Sequence, residues 1–363
     1  MNITEEQLLK ALGTVEDPDL KQDLVTLGMI KNVKIDGAKI SFTVELTTPA
    51  CPLKEMIRAQ CLKAVQDVAG EEAEIQIEIT AEVTTVRKKE PLLPKVKNII
   101  AVASGKGGVG KSTVTVNLAV ALAKSGAKVG VIDADIFGPS IPMMFGCEHQ
   151  QPKAMKSGDK TVITPIERHG VKLMSIGLLM SKTNAMVWRG PMASSALKQL
   201  IGDTEWGELD YLLIDLPPGT SDIHLTLVQS VPVTGAIVVT TPQKVALEDA
   251  RKGVIMFKQE NINVPILGIV ENMSYLLANE DSKQYIFGQG GGAKLANEEE
   301  VPLLAEIPLV QSIRECCDEG FPVAMQDNMV TDIFVELSQS TARQVAIRNA
   351  TKGPTEVVEI TQQ

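Results

Sequence analysis

The sequence predicts an α/β fold: a doubly wound, mostly parallel sheet preceded by a small α+β domain. Three observations predict it. Six short apolar runs, "NIIAVAS", "KVGVIDAD", "VKLMSIG", "YLLIDLP", "GAIVVTTP" and "PILGIVENM", alternate with helical patterns from Asn98 onward. Strands buried on both faces read as nearly continuous apolar runs, and strand–helix alternation implies a parallel sheet. Before them, period-two patterning surrounds an Asp36-Gly37 turn. Finally, 363 residues with 44% hydrophobic content suffice for one large core or two unequal domains.

Taken in order, "MNITEEQLLK" reads as a helix start capped by Asn2 or Thr4 rather than a signal peptide, since no basic segment precedes an apolar one. "MIKNVKIDGAKISFTVELT" is a hairpin signal, and "PLKEMIRAQCLKAVQDVAG" has helical periodicity that stops at Gly70. "AEIQIEITAEV" alternates again as a strand. The expected boundaries are 1–88 for the small domain, 89–97 for a charged linker broken by Pro91 and Pro94, 98–348 for the large domain, and 349–363 for a polar tail.

Composition narrows the function. A net charge of -10 and 3% aromatics argue against general nucleic-acid binding, which needs clustered cations and stacking platforms. No apolar run reaches the roughly 18 residues of a membrane span. Five cysteines without disulfide spacing fit reduced thiols and a cytoplasmic location.

"GKGGVGKS", Gly105 to Ser112, matches G-x-x-x-x-G-K-[ST] and lies between a predicted strand and the helix "STVTVNLAVALAKSG". Glycines let backbone N–H groups curl around an anion, and the helix N-terminus adds a favourable dipole. The stretch resembles the nucleotide loop of P-loop ATPases, and that resemblance implies that Gly105, Lys106, Gly107, Gly108, Val109, Gly110, Lys111, Ser112 and Thr113 bind ATP and Mg²⁺. Lys111 reaches the β- and γ-phosphates, Ser112 ligates Mg²⁺, and Asp215, ending "YLLID", supports the metal shell. Asp133 and Asp135 end another strand, at the sheet edge where ligands bind, and one of them could orient the attacking water.

The loop carries a second lysine, Lys106. A lysine this early resembles the deviant P-loop ATPases that include MinD, ParA and ArsA. In that group the signature lysine reaches across a nucleotide-sandwich homodimer, where a cation in trans neutralises transition-state charge. The alternative is a solvated loop lysine.

Beyond the loop, "GPSIPMMFG", "WRGPM", "LDYLLIDLPPGTSDIHLTL", "VVTTPQKVALEDARKG", "GIVENMSY", "FGQGGG" and "IPLVQSIRE" together resemble the Mrp/ApbC family, and "TTPACPLKEMI" resembles the small domain found on many members and on separate iron–sulfur assembly factors. The resemblance spans about residues 5–345 and implies an iron–sulfur cluster carrier that hydrolyses ATP slowly without a partner. It implies that Asp135 positions water, that Asp215 supports the metal, and that Asn272 contacts adenine. It assigns Arg189 to a family motif without supplying a mechanism. Iron–sulfur apoproteins or assembly factors are the implied partners.

Most members carry C-x-x-C between "NMS" and "FG-x-GGG"; this chain reads "YLLANEDSKQYI" there, without cysteine. Cys51, placed near a helix N-cap by Pro52, is the remaining candidate iron–sulfur ligand, because a helix N-terminus favours thiolate. Its alternative is a small buried residue. Cys316 and Cys317 would point about 100° apart on a helix, Cys61 and Cys147 read as structural, and His149, His169 and His224 lack metal-ligand spacing. "FGQGGGAKLA" reads as a flexible loop entering a helix, with a second anion site as a weaker possibility. The rival functions are an ATP-driven adaptor or scaffold and a MinD- or ParA-like positioning switch carrying no cluster. "TKGPTEVVEITQQ" lacks the basic amphipathic helix of a membrane-bound switch.

Overall fold

The computed structural model describes residues 3–70, 72–87, 92–157, 160–179, 190–279 and 282–358. The chain forms two units: Met1–Thr84 with Ala346–Lys352, and Thr85–Val345 with Gly353–Gln363.

In the first unit, α1 (Glu5–Leu12) opens on a reciprocal cap. Thr4 Oγ1 accepts from the Gln7 N–H, and Gln7 Oε1 accepts from the Thr4 N–H. Two residue-pair strands, β1 (Glu16–Asp17) and β2 (Gln22–Asp23), follow. Strands β3 (Ile30–Asp36) and β4 (Lys39–Leu46) pair antiparallel around Gly37, whose φ of 63° suits a glycine. Helix α2 (Lys54–Ala69) then crosses to β5 (Glu74–Ala81), parallel to β4. Leu8, Leu12, Phe42, Val44, Ile57 and Val65 build the core, and Cys61 is buried among them, its thiol pushed up to about 11 by desolvation.

The second unit begins with β6 (Val96–Ser104), which starts inside the segment expected to be a linker. After it come α3 (Lys111–Lys124), β7 (Val129–Asp133), α4 (Ile141–Met144), a hairpin of β8 (Lys153–Ser157) and β9 (Lys160–Thr164), β10 (Ile166–Arg168) and β11 (Val171–Ser175). Next are α5 (Ile176–Leu179), α6 (Gly190–Gly202), β12 (Leu209–Asp215), α7 (Asp222–Ser230), β13 (Gly235–Thr240), α8 (Lys244–Lys258) and β14 (Ile266–Glu271). A hairpin of β15 (Leu276–Asn279) and β16 (Ser282–Gln284), α9 (Gly291–Glu298), β17 (Leu303–Glu306), α10 (Gln311–Asp318) and α11 (Met329–Thr351) follow, with α11 belonging to this unit as far as Val345 and to the first unit from Ala346 on. Helix α11 continues through the first residues of the expected polar tail.

The eight-stranded sheet has the order β10-β11-β7-β12-β6-β13-β14-β17. Only the β10–β11 pair is antiparallel. From β6 the chain goes to β7 on one side and later to β13 on the other, so the winding reverses beside β6. That is where open α/β sheets bind ligands. Ile99, Ala101 and Ala103 of β6 pack with Leu197, Leu200 and Leu227 of α6 and α7. On α8 and α9, Ala250, Val254, Leu295 and Ala296 cluster with Val238 and Ile269 of the sheet. No described helix is long and apolar enough to cross a membrane.

Candidate nucleotide site

The loop from Gly105 to Gly110 leaves the C-terminal end of β6 and runs into α3. Three of its glycines are required for one of two reasons, close approach or positive φ. A Cβ on Gly105 would sit 2.0 Å from the backbone carbon of Asp249 in α8. Gly108 and Gly110 take φ of 83° and 80°, where side chains are strained. Ser104 Oγ donates to the Lys106 carbonyl at 3.1 Å, tightening the turn. Loop, Asp135, Ser140, Met144 and Pro218 line an open cavity of about 190 Å³.

Beneath it, three donors converge on one buried carboxylate. Lys111 Nζ lies 2.7 Å from Asp215 Oδ2, Ser112 Oγ donates to the same oxygen at 2.6 Å, and Thr115 Oγ1 donates to Oδ1 at 2.7 Å. Lys111 Nζ is also 4.0 Å from Asp135 Oδ2. Hydroxyl and carboxylate oxygens alone, as Ser112 and Asp215 provide, suit a hard divalent cation such as Mg²⁺. Lys106 is exposed, and among the described residues its ammonium has no carboxylate partner.

Asp133 and Asp135, two residues apart, occupy different environments. Asp133 is fully buried: Ser175 Oγ (2.9 Å) and the Ile141 N–H (3.3 Å) donate to Oδ2, and the Asp135 N–H (3.2 Å) donates to Oδ1. Burial, followed by the charge of Asp215, pushes its pKa up to about 8. It therefore anchors the 133–141 turn and is not among the residues lining this cavity. Asp135 lines the cavity; burial raises its pKa while the Lys111 charge opposes the rise.

The end of β14 closes the back of the loop. Asn272 is buried, and its Nδ2 donates to the Val109 carbonyl at 2.9 Å. Next to it Glu271 is fully buried; Ser274 Oγ donates to Oε1 at 2.5 Å and the Gly292 N–H donates to Oε2. Two of the four glycines of "FGQGGG", Gly291 and Gly292, thus have a packing role. A Cβ on Gly292 would meet Glu271 Cβ at 2.8 Å, and one on Gly291 would meet the Pro242 carbonyl oxygen at 2.9 Å. The second anion site weighed as the weaker possibility at this helix start meets a Gly292 N–H already taken by the protein's own Glu271. In α7, His224 is buried with Nδ1 accepting from the Ser221 N–H at 3.2 Å, and desolvation pushes its pKa down to about 4.

The cysteines do not assemble. Helix α2 begins at Lys54 with Leu53 as its N-cap, so Cys51 lies two residues before the cap, half-buried against the small domain's core. Pro52 occupies the preceding turn instead of the first helical position. Cys316 accepts from Gln326 Nε2, and Cys317 from Asn117 Nδ2. Desolvation pushes the Cys147 and Cys317 thiols up to about 11. Among the described residues no group of three or more His, Cys, Asp or Glu side chains could hold a metal ion. Arg189 lies outside the described residues.

Thr115, Ser175 and Glu271 are site residues that sequence reasoning missed. Thr115 had a signal: four residues after Lys111 it shares a helix face with it. Glu271 had one too, as a charge closing an otherwise apolar run.

Sheet order, loop and converging carboxylate define a P-loop NTPase. Residues 95–345 match the NUBPL iron-transfer P-loop NTPase family of the ParA group, and residues 5–77 match the iron-sulfur cluster assembly protein family. The chain belongs to this iron-transfer P-loop NTPase family, joined to an iron–sulfur assembly domain. It is 48% identical over 328 residues to an iron-sulfur cluster carrier protein of Synechocystis, covering 89% of this chain and 92% of that one. It is 47% identical over 342 residues to an iron-sulfur cluster carrier protein of Escherichia coli, covering 92% and 90%. A solved nucleotide-binding protein in complex with ADP from Archaeoglobus fulgidus superposes with a TM-score of 0.54 at 41% identity, over 63% of this chain and 88% of that one.

Proposed function

We propose that the protein is an ATPase that works as a nucleotide-bridged homodimer and passes iron–sulfur clusters to apoproteins. One observation carries the ATPase part: Lys111 and Ser112 meet on buried Asp215 directly behind a glycine loop. The cargo part draws on relatives named as carriers.

Gly105 to Thr113 would cradle the triphosphate with backbone N–H groups. Lys111 would exchange Asp215 for the phosphates, since an anion in the cavity competes for the same ammonium. Magnesium travels with ATP and offsets phosphate charge; Ser112 and Asp215 are the residues that would hold it. Asp135 would orient the attacking water, and Lys106 of a second copy would neutralise charge on the transferring phosphoryl group. Turnover alone would be slow, as in unassisted P-loop enzymes near ~10⁻⁴ s⁻¹.

A second reading, an ATP-driven adaptor that carries no cluster, is favoured by one observation. The segment from Ser274 to Ile286 contains no cysteine, where most members of the family it resembles carry a C-x-x-C pair. Anaerobic reconstitution separates the two readings. Iron and sulfide at stoichiometric levels support the carrier, and their loss in Cys51→Ser makes Cys51 a ligand. Failure to load under conditions that load a C-x-x-C-bearing relative favours the adaptor.

A further inference from the structure

We propose that the free edge of β5 in the small domain is a docking strand. It pairs through its main chain with an extended segment of a partner protein that carries Lys or Arg at alternate positions. The hydrogen bonds of β5 run to one side. It ends the order β3-β4-β5, and among the described residues no strand lies beyond it. The Glu74 N–H donates to the Ala38 carbonyl and the Glu82 N–H to the Leu46 carbonyl. Bonding residues alternate along a strand. Glu74, Gln76, Glu78 and Thr80 therefore turn their N–H and C=O groups to β4, and Ile75, Ile77, Ile79 and Ala81 turn theirs to the open edge.

Other sheet edges in the chain are blunted. Strand β3, the opposite edge of the same sheet, carries Lys31 and Lys34 with a register break between them. In the large sheet, β10 has three residues, and β17 has four, between Pro302 and Pro308. Breaks in register, lysines, prolines and short length all keep an edge from pairing. Strand β5 has none of these: eight residues, an unbroken register with β4, no Lys and no Pro. Among the described residues its one guard is Arg58 of α2, whose Nη1 donates to the Ile77 carbonyl at 2.8 Å. The Arg58 side chain is 40% exposed, so it can yield this carbonyl to an incoming N–H and stay solvated.

Charge selects the occupant. Glu74, Gln76, Glu78 and Thr80 form the exposed outer face of β5, and no Lys or Arg lies between Glu72 and Glu82. Lys39 offsets Glu74 at 3.3 Å, whereas among the described residues Glu78 has no cation partner. Pairing two copies edge to edge would gather these acids on one face, and like charges across strands are destabilising. A segment that alternates basic and apolar residues matches both faces, since Ile75, Ile77 and Ile79 pack on the core side. Main-chain pairing supplies affinity in such strand addition, and the alternate side chains supply specificity.

The test uses the full chain and a peptide of alternating Lys and Val, as long as β5 and blocked at both ends. Amide hydrogen exchange read by NMR should find Ile75 and Ile79 fast in the protein alone and slowed by the peptide, with Gln76 and Glu78 slow throughout. The same peptide with every main-chain N–H methylated keeps its charge and should not bind. Glu78→Gln should weaken the peptide about threefold, through one lost cross-strand charge pair. Arg58→Ala should tighten it about fivefold, because the Ile77 carbonyl no longer has to be freed from a hydrogen bond. Slow exchange at Ile75 and Ile79 without peptide would mean a covered edge and overturn the proposal, and that measurement needs no variant to fold. Equal binding of the methylated peptide would reduce the effect to charge attraction and overturn it too. So would no binding of either peptide, or an Arg58→Ala affinity equal to that of the wild type.

Discussion

Asp133 is a carboxyl group that the fold buries at a cost in its charged form. Its pKa of about 8 in the folded chain stands well above the ordinary carboxylate value of 3.8. Between those values the folded state holds a proton that the unfolded state has lost, so stability falls as pH rises through the window. The slope reaches about 1.4 kcal/mol per pH unit. Asp133→Asn should flatten this part of the profile, whatever its effect at a single pH. Urea unfolding of the nucleotide-free protein at pH 5, 6, 7 and 8 checks it; parallel profiles for the two proteins would refute the assignment. Lys111 makes the opposite case, a buried cation that offsets a buried anion 2.7 Å away. Lys111→Ala should abolish ATP hydrolysis and also lower nucleotide-free stability by about 3–5 kcal/mol, because Asp215 is left buried without its cation. Undiminished hydrolysis by that variant would remove the loop as the active site.

At the scale of elements, the loop is seated on helix α8 through bare backbone. Gly105→Ala should destabilise the protein by at least about 1–3 kcal/mol, because its Cβ would lie 2.0 Å from the Asp249 backbone. Gly107→Ala has its nearest neighbour at 3.8 Å, on Pro218 Cγ, and should leave the melting temperature nearly unchanged. Equal melting temperatures for the two variants would refute this account of the contact. The loop is legible in the sequence because strand, motif and helix follow one another in register, and each of the six apolar runs becomes a parallel strand. The edge strand β17 is not, because Leu303–Glu306 is only four residues long and has Pro302 before it and Pro308 after it. The antiparallel strand β10 escapes for the same reason of length. The position of Cys51 departs from the expectation because a proline suits the first helical turn but does not start a helix; here the turn through Leu53 intervenes. The bond from Asn272 to Val109 spans 163 residues in sequence, and no local pattern reports a contact of that separation.

For the whole molecule the open question is whether one copy completes a site. Lys106 stands exposed in the loop, while the Lys111 side chain is turned inward to Asp215. If Lys106 serves the site of a second copy, Lys106→Ala should keep ATP affinity within a few-fold, since its own Lys111 still binds phosphate, yet lose most of its hydrolysis. Lys111→Ala should lose hydrolysis because it cannot hold the nucleotide. The two defects then fall on different sites of a mixed dimer. The Lys106→Ala chain binds ATP, and the Lys111→Ala chain offers an intact Lys106 across the interface. Random mixing of equal amounts should restore hydrolysis to roughly a quarter of the wild-type level, because half the dimers are mixed and each has one complete site. A lysine acting within its own chain would leave the mixture as inactive as its parts. Steady-state phosphate release from the separate and mixed variants, at concentrations above and below dimerisation, decides between the two arrangements. Normal turnover by Lys106→Ala as a monomer would refute the dimeric site altogether.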